Sequence, residues 1–188
     1  MKTLATALLL LLWTAPLLPA QEAAESYFTD TELVDQDGRS HRFFSDLLKD
    51  KVVIIDSIFT RCTGVCPVLS RNMAAIRDHL GDRVGRDVHL ISITVDPVYD
   101  TPQRLKEFAQ RFEAGPGWYF LTGPPRNVEF ILGRLGQMVE SKENHQSVLL
   151  IGNVPEEHWK KALGLAKPDE LIEIVDSVLK DGGNPRSR

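Results

Sequence analysis

The chain has 188 residues, 22 Lys and Arg against 26 Asp and Glu, a formal net charge of −4 and 43% hydrophobic residues. That length suits one domain with short appendages, large enough to bury a core without disulfide staples. The acidic balance and the lack of a Lys/Arg run exclude a phosphate-tracking surface, so nucleic acid is not an expected partner.

Met1-Lys2 supplies one positive charge, and Thr3 to Ala20 then carries none and includes the run Leu8 to Leu12. Pro16, Pro19 and the small residues Ala20, Ala23 and Ala24 follow. This is the layout of a secretory signal peptide over residues 1–20, and it predicts export to the periplasm. The stretch is also about long enough to span a bilayer, so a membrane-tethered form facing the periplasm is expected only if it stays uncleaved. The prolines near its end favour cleavage. Residues 21–30 read as a short polar linker, 31–180 as the domain and 181–188 as a flexible tail.

Within the domain, Glu32 to Val34 starts a strand, Asp37-Gly38 marks a hairpin turn and Arg39 to Phe43 returns. Ser45-Asp46 predicts a short helix through Leu48. Val52 to Phe59 is a nearly continuous β-branched run, expected as a strand buried on both faces. After the cysteine segment, Pro67 fits a first helical turn, and Leu69, Met73, Ile76 and Leu80 recur at helical spacing up to Gly81. His89 to Val95 is a second buried strand. Asp100-Thr101-Pro102 opens a helix with Leu105, Phe108, Ala109 and Phe112 on one stripe. Trp118 to Leu121 is a short strand, and Pro124-Pro125 opens a helix carrying Val128, Ile131, Leu132 and Leu135. Val148 to Ile151 is a strand that Trp159 to Leu163 can pair with. Pro168 opens a last helix with Leu171, Ile174, Val175 and Val178. Alternating strands and helices with a final hairpin predict an α/β, thioredoxin-like fold, a mixed central sheet flanked by helices.

Only two cysteines occur, Cys62 and Cys66. A bridge between them would close a very small ring and add little stability, so the pair is read as chemical rather than structural. Both lie between a buried strand and a helix N-terminus, where unsatisfied backbone N–H groups favour anions. Both thiol pKa values are therefore expected to fall, with Arg61 helping. Positions i and i+4 of a helical turn share a face, and Gly64 between them gives the sulfurs room to straddle a metal. Soft thiolates select Cu(I), and two cysteines cannot build a closed zinc site. A third ligand must come from elsewhere. His41, His79, His89 and His158 read as solvated or capped histidines, whereas His145 lies just before a strand at the loop edge expected to face the active-site end.

The segment Phe59-Thr60-x-Cys62-x-x-x-Cys66-Pro67 resembles the Sco/SenC family of copper-binding proteins. So do Ser92-Ile93-Thr94-Val95-Asp96-Pro97-x-x-Asp100-Thr101-Pro102 and Asn144-His145 ahead of Val148 to Ile151, with Gly117-Trp118-x-Phe120-Leu121-Thr122-Gly123 in support. The resemblance implies a copper ion held by Cys62, Cys66 and His145. It also implies a role in delivering copper to the binuclear copper site of cytochrome c oxidase, or in keeping that site's cysteines reduced. The implied partners are oxidase subunit II or another exported copper acceptor, and a protein that supplies thiol reductant. Asp96 and Asp100 belong to the family pattern but read as turn-forming and helix-capping residues, not ligands. Two positions depart from the pattern: Asn144 replaces an Asp often found before the histidine, and the cysteine loop is Thr63-Gly64-Val65. Three functions are thus in contention: a copper chaperone; an exported thiol-disulfide reductase with Cys62 attacking and Cys66 resolving; and a binding module with an inert disulfide.

Overall fold

The computed structural model describes residues 20–138 and 147–181. The signal-like stretch up to residue 19, the tail beyond residue 181 and the pair Asn144-His145 lie outside the described residues. No helix among the described residues is long and apolar enough to cross a membrane.

The expected mixed sheet is present. Strands β3 (Val52–Ile58), β4 (Val88–Thr94) and β5 (Trp118–Leu121) run parallel. Strand β6 (Val148–Asn153) pairs antiparallel with β3, and β7 (His158–Leu163) antiparallel with β6, in the order β5-β4-β3-β6-β7. Strands β1 (Glu32–Val34) and β2 (Ser40–Arg42) form the separate hairpin. Every residue of β3 and β4 is buried, as parallel strands covered on both faces require.

Strand alternation divides the core into two layers. Ile54, Ile58, Leu90, Trp118, Phe120, Leu149 and Ile151 face helices α2 (Val65–Leu80), α3 (Pro102–Gln110) and α5 (Pro168–Asp181). Leu69, Met73 and Ile76 of α2 meet them with Leu105 and Phe108 of α3 and Leu171, Val175 and Val178 of α5. Val53, Ile55, Ile91, Ile93, Leu121 and Leu150 face the opposite way. They pack on helices α1 (Ala20–Phe28) and α4 (Pro125–Arg134) and on a wide helical turn over Phe43–Leu48, closed by Lys49 N–H donating to Phe44 O at 2.9 Å.

The segment expected as a linker is helical as α1. Ala and Glu are good helix formers, and Phe28 docks the helix through a tilted ring contact with Trp159 at 5.5 Å and an edge-to-face contact with Phe43 at 6.3 Å. Tertiary packing of two aromatics overrides a composition that reads as polar.

The turns entering β4 and β5 approach so closely that only glycine fits. Gly117 has φ +86°, and a Cβ there would lie 2.2 Å from the Gly85 nitrogen. Gly117→Ala is expected to lose on the order of 3 kcal/mol of stability, because the new methyl meets rigid backbone in a left-handed conformation. A denaturation midpoint equal to the parent's would show that the Gly85 turn yields instead.

Candidate metal centre

Strand β3 ends at Ile58, and the chain turns at once, with Cys62 N–H donating to Phe59 O at 3.1 Å. Helix α2 begins at Val65, so Cys66 sits in its first turn and Cys62 precedes it. The Cys66 N–H donates to Cys62 Sγ at 3.4 Å. The Cys62 sulfur thereby occupies the place of a helix cap, taking one of the first-turn N–H groups that lack an intrahelical acceptor. No disulfide joins the two cysteines; Cys62 is partly exposed and Cys66 buried.

This geometry corrects the expectation that both thiol pKa values fall. Burial pushes the Cys66 thiol far above its ordinary value, and the Cys62 sulfur and the Asp56 carboxylate push the same way, against a smaller pull from the Phe59 backbone. Loss of water disfavours a thiolate more than a helix N-terminus favours it when the sulfur has no exposed surface. Nor do the two cysteines share a helical face; they meet across the helix start. Arg61, expected to favour the thiolates, spends its charge on Asp96 at 2.9 Å and lies over the Tyr99 ring at 3.8 Å.

The loop is held by a residue read from sequence as a cap. Asp100 is fully buried. Its carboxylate accepts from Thr60 N–H at 3.1 Å, Thr60 Oγ1 at 2.5 Å and Thr94 Oγ1 at 2.5 Å. The helix-capping role falls to Thr101, whose side chain accepts from Arg104 N–H at 3.4 Å. Asp96 closes the neighbouring turn through its own N–H to Thr94 Oγ1 at 2.9 Å. Asp100 therefore ties the end of β3 to the end of β4, directly before the cysteines.

A second carboxyl was passed over inside the apolar run. Asp56 is completely buried on β3, two residues from Ile54 and Ile58, and so faces the α2 layer that contains Cys66. Neither of its oxygens finds a hydrogen-bond partner among the described residues. Burial pushes its pKa up to about 7; Ser92, opposite it on β4, opposes the rise without forming a well-made hydrogen bond. The signal was one acidic residue in an otherwise strand-forming stretch.

None of the described histidines lies in a cluster with the cysteines, but His89, expected to be solvated or capped, is buried inside the sheet layer. His41 Nε2 bonds Asp35 at 2.7 Å, His79 Nε2 bonds Asp176 at 2.9 Å and His89 Nδ1 bonds Leu47 O at 2.8 Å. Among the described residues no three His, Cys, Asp or Glu side chains group as a metal site. What these residues offer a metal is a pair of sulfur donors, suited to a soft ion rather than to Mg2+ or Ca2+. Strand β6 runs antiparallel to β3 with Ile55 opposite Leu150, so the chain enters β6 at the end of the sheet where β3 gives way to the cysteine loop.

Asp100→Ala strips the acceptor from Thr60 N–H and two hydroxyls. It is expected to cost on the order of 3 kcal/mol and to speed alkylation of Cys62; unchanged thermal stability together with unchanged Cys62 alkylation would show that the carboxylate does not hold the loop. Asp56 binds its proton more tightly folded than unfolded, so stability falls as pH rises from 3.8 to about 7 and is level above that. Asp56→Asn should remove this slope and raise stability at pH 8 by as much as about 4 kcal/mol, read from urea midpoints across pH. Parallel pH profiles for the two proteins would contradict it.

A sequence profile of the SCO1/SenC family matches residues 19–154. The SCO1 protein homolog of Bacillus subtilis is 34% identical over 118 residues, 61% of this chain and 60% of that protein. The chain spans about half to three fifths of the length of the curated relatives it matches first. The structure of Arabidopsis thaliana ScoI with copper bound superposes with a TM-score of 0.67 at 25% identity, covering 80% of this chain and 96% of that one. BsSco, described as a member of the Sco family of cytochrome c oxidase assembly proteins with a disulfide switch, superposes with a TM-score of 0.64 at 31% identity, covering 78% and 90%. With the profile covering most of its length and the two cysteines placed between the end of β3 and the first turn of α2, this chain belongs to the SCO1/SenC family.

Proposed function

We propose that this chain is an exported metallochaperone that carries a copper ion as cargo on Cys62, Cys66 and His145. It would deliver copper to the binuclear site of cytochrome c oxidase, through subunit II or another exported acceptor, or keep that site's cysteines reduced. The observation that carries this reading is the unequal pair itself: one buried sulfur and one partly exposed sulfur, held against each other at the start of α2. A buried thiolate anchors a soft ion, and an exposed one lets an acceptor's cysteines exchange in without the ion ever being released to water. His145 enters from the family resemblance, and the entry of β6 at the cysteine end of the sheet is compatible with it. Export to the periplasm rests on the uncharged N-terminal stretch alone.

A second reading, thiol-disulfide reductase, is favoured by the same asymmetry. Cys62 can meet a substrate disulfide while Cys66 is shielded until it resolves the mixed disulfide. The partner that restores the dithiol would be a protein thiol reductant. The two activities are compatible, because an acceptor's cysteines must be reduced before they take up metal.

Protein purified without oxygen and loaded with Cu(I) should hold a single copper ion per chain. Cys62→Ala and Cys66→Ala should abolish that binding, and His145→Ala should weaken it by about 10²-fold, measured by competition with a Cu(I) chelator. Full-strength binding by Cys66→Ala would overturn the chaperone reading.

A further inference from the structure

The turn over residues 96–100 joins β4 to α3 and stands beside the cysteine loop, because Asp100 grips Thr60, two residues before Cys62. The turn is tightly closed: Tyr99 N–H and Asp100 N–H both donate to Asp96 O, at 3.0 and 2.9 Å. At its tip Val98 is 82% exposed. Next to it, the Tyr99 ring carries the guanidinium of Arg61 at 3.8 Å and that of Arg104 at 3.8 Å. One face has no room for two such groups at that distance, so the ring lies between them. Arg61 directly precedes the partly exposed Cys62, and the stack therefore begins one residue from that sulfur.

The two cations are not matched alike. Arg61 Nη2 donates to Asp96 at 2.9 Å. Arg104 Nη1 donates to Tyr99 O at 2.6 Å, a neutral acceptor, and among the described residues Arg104 meets no carboxylate. Glu107, one turn further along α3, accepts from Gln103 Nε2 at 3.0 Å, and the buried Asp100 is taken up by Thr60 and Thr94. An arginine held flat on an aromatic ring keeps its remaining N–H donors in one plane, in the fork that fits a carboxylate. Val98, an apolar side chain held in water by a rigid turn, is stabilised only when another apolar surface covers it. We propose that Arg104 and Val98 form a recognition edge beside Cys62 for a protein segment that carries a carboxylate and an apolar side chain next to its reacting cysteine. The inference rests on the reading of Cys62 as the sulfur at which a partner exchanges.

The whole chain carries a net charge of −4, which by itself repels an acidic partner. A fixed cation next to the exchanging sulfur reverses that sign locally. It draws a carboxylate to one side of Cys62 and so sets the direction from which the partner's cysteine approaches. Arg61 and Asp96 hold the opposite face of Tyr99 and keep the ring, and Arg104 with it, in place. A lysine in the partner segment would meet Arg104 as a like charge and be rejected. The covered Val98 distinguishes a protein segment from a small acidic thiol, which has no side chain to lay on it.

The test uses the full reduced, metal-free chain and two short peptides. Each peptide has a single cysteine beside a leucine, flanked by aspartates in one and by lysines in the other, with the cysteine activated as its mixed disulfide with pyridinethiol. The Cys62 thiolate bonds to the peptide sulfur, the sulfur–sulfur bond to pyridinethiol breaks, and pyridinethiol leaves with the electron pair, takes a proton from solvent and is read by its absorbance. At low salt the aspartate peptide should react about 10-fold faster than the lysine peptide, and added salt should shrink the difference. Arg104→Gln should bring the ratio close to one, and Arg104→Lys should restore part of it; a general disturbance of the loop changes both rates and cancels in the ratio. Val98→Ser should slow the aspartate peptide by about 3-fold and leave reaction with oxidised glutathione unchanged. Equal rates for the two peptides, or a preference that survives Arg104→Gln, would overturn the proposal and leave Cys62 standing as the exchanging sulfur. A Val98→Ser protein as fast as the wild type with the aspartate peptide would overturn the assignment to a protein segment in favour of a small acidic thiol. Failure of the wild type to release pyridinethiol from either peptide would overturn the reading of Cys62, and the proposal with it.

Discussion

The carboxylate of Asp100 is the contact on which the position of the cysteines depends. It is buried, and it gathers one backbone N–H and two hydroxyls from the ends of two adjacent parallel strands. Charge-assisted hydrogen bonds of this kind are stronger than neutral ones and poorly screened out of water. The chain leaving β3 is thereby fixed before it turns, and Cys62 reaches α2 at a distance where its sulfur takes a helix-end N–H. A loop of this length between a strand and a helix would otherwise sample many conformations. The site is thus held by a group that is neither a ligand nor a nucleophile.

The two sulfurs are chemically distinct because their solvent exposure differs. Cys62 lies at the surface of the turn and Cys66 under it, against Leu69 and Met73. Burial raises the pKa of Cys66 and keeps it from indiscriminate reaction, and the helix N-terminus is not enough to offset that effect. The same lack of water sets the state of Asp56. Two buried titratable groups, Asp56 and Cys66, therefore share one layer beneath the partly exposed Cys62 sulfur.

The sheet explains why these groups converge. In an open α/β sheet the functional crevice forms beyond the carboxyl ends of the parallel strands, and β3, the central strand, delivers the cysteine loop there. β4 delivers Asp96 and Asp100 to the same end. The antiparallel strand β6 starts at that end too, so three separate stretches of sequence meet at one end of the sheet.

Much of this was legible in the residues. The buried strands, the apolar stripes of the helices, the final hairpin and the placing of a cysteine pair between a strand and a helix all follow from local pattern, since hydrophobic periodicity and Pro and Gly signals act over a few residues. The composition of 20–28 misled, because docking of Phe28 on Phe43 and Trp159 is a long-range contact. Sequence spacing put the cysteines on one helical face and lowered both pKa values; only the fold decided which sulfur is in water. It likewise turned Asp100 from a cap into a clamp and buried Asp56 where neither oxygen finds a hydrogen-bond partner among the described residues. Sequence determines which groups are available and in what periodicity, whereas burial and partnership depend on what the rest of the chain brings alongside, and desolvation is a property of that assembled environment.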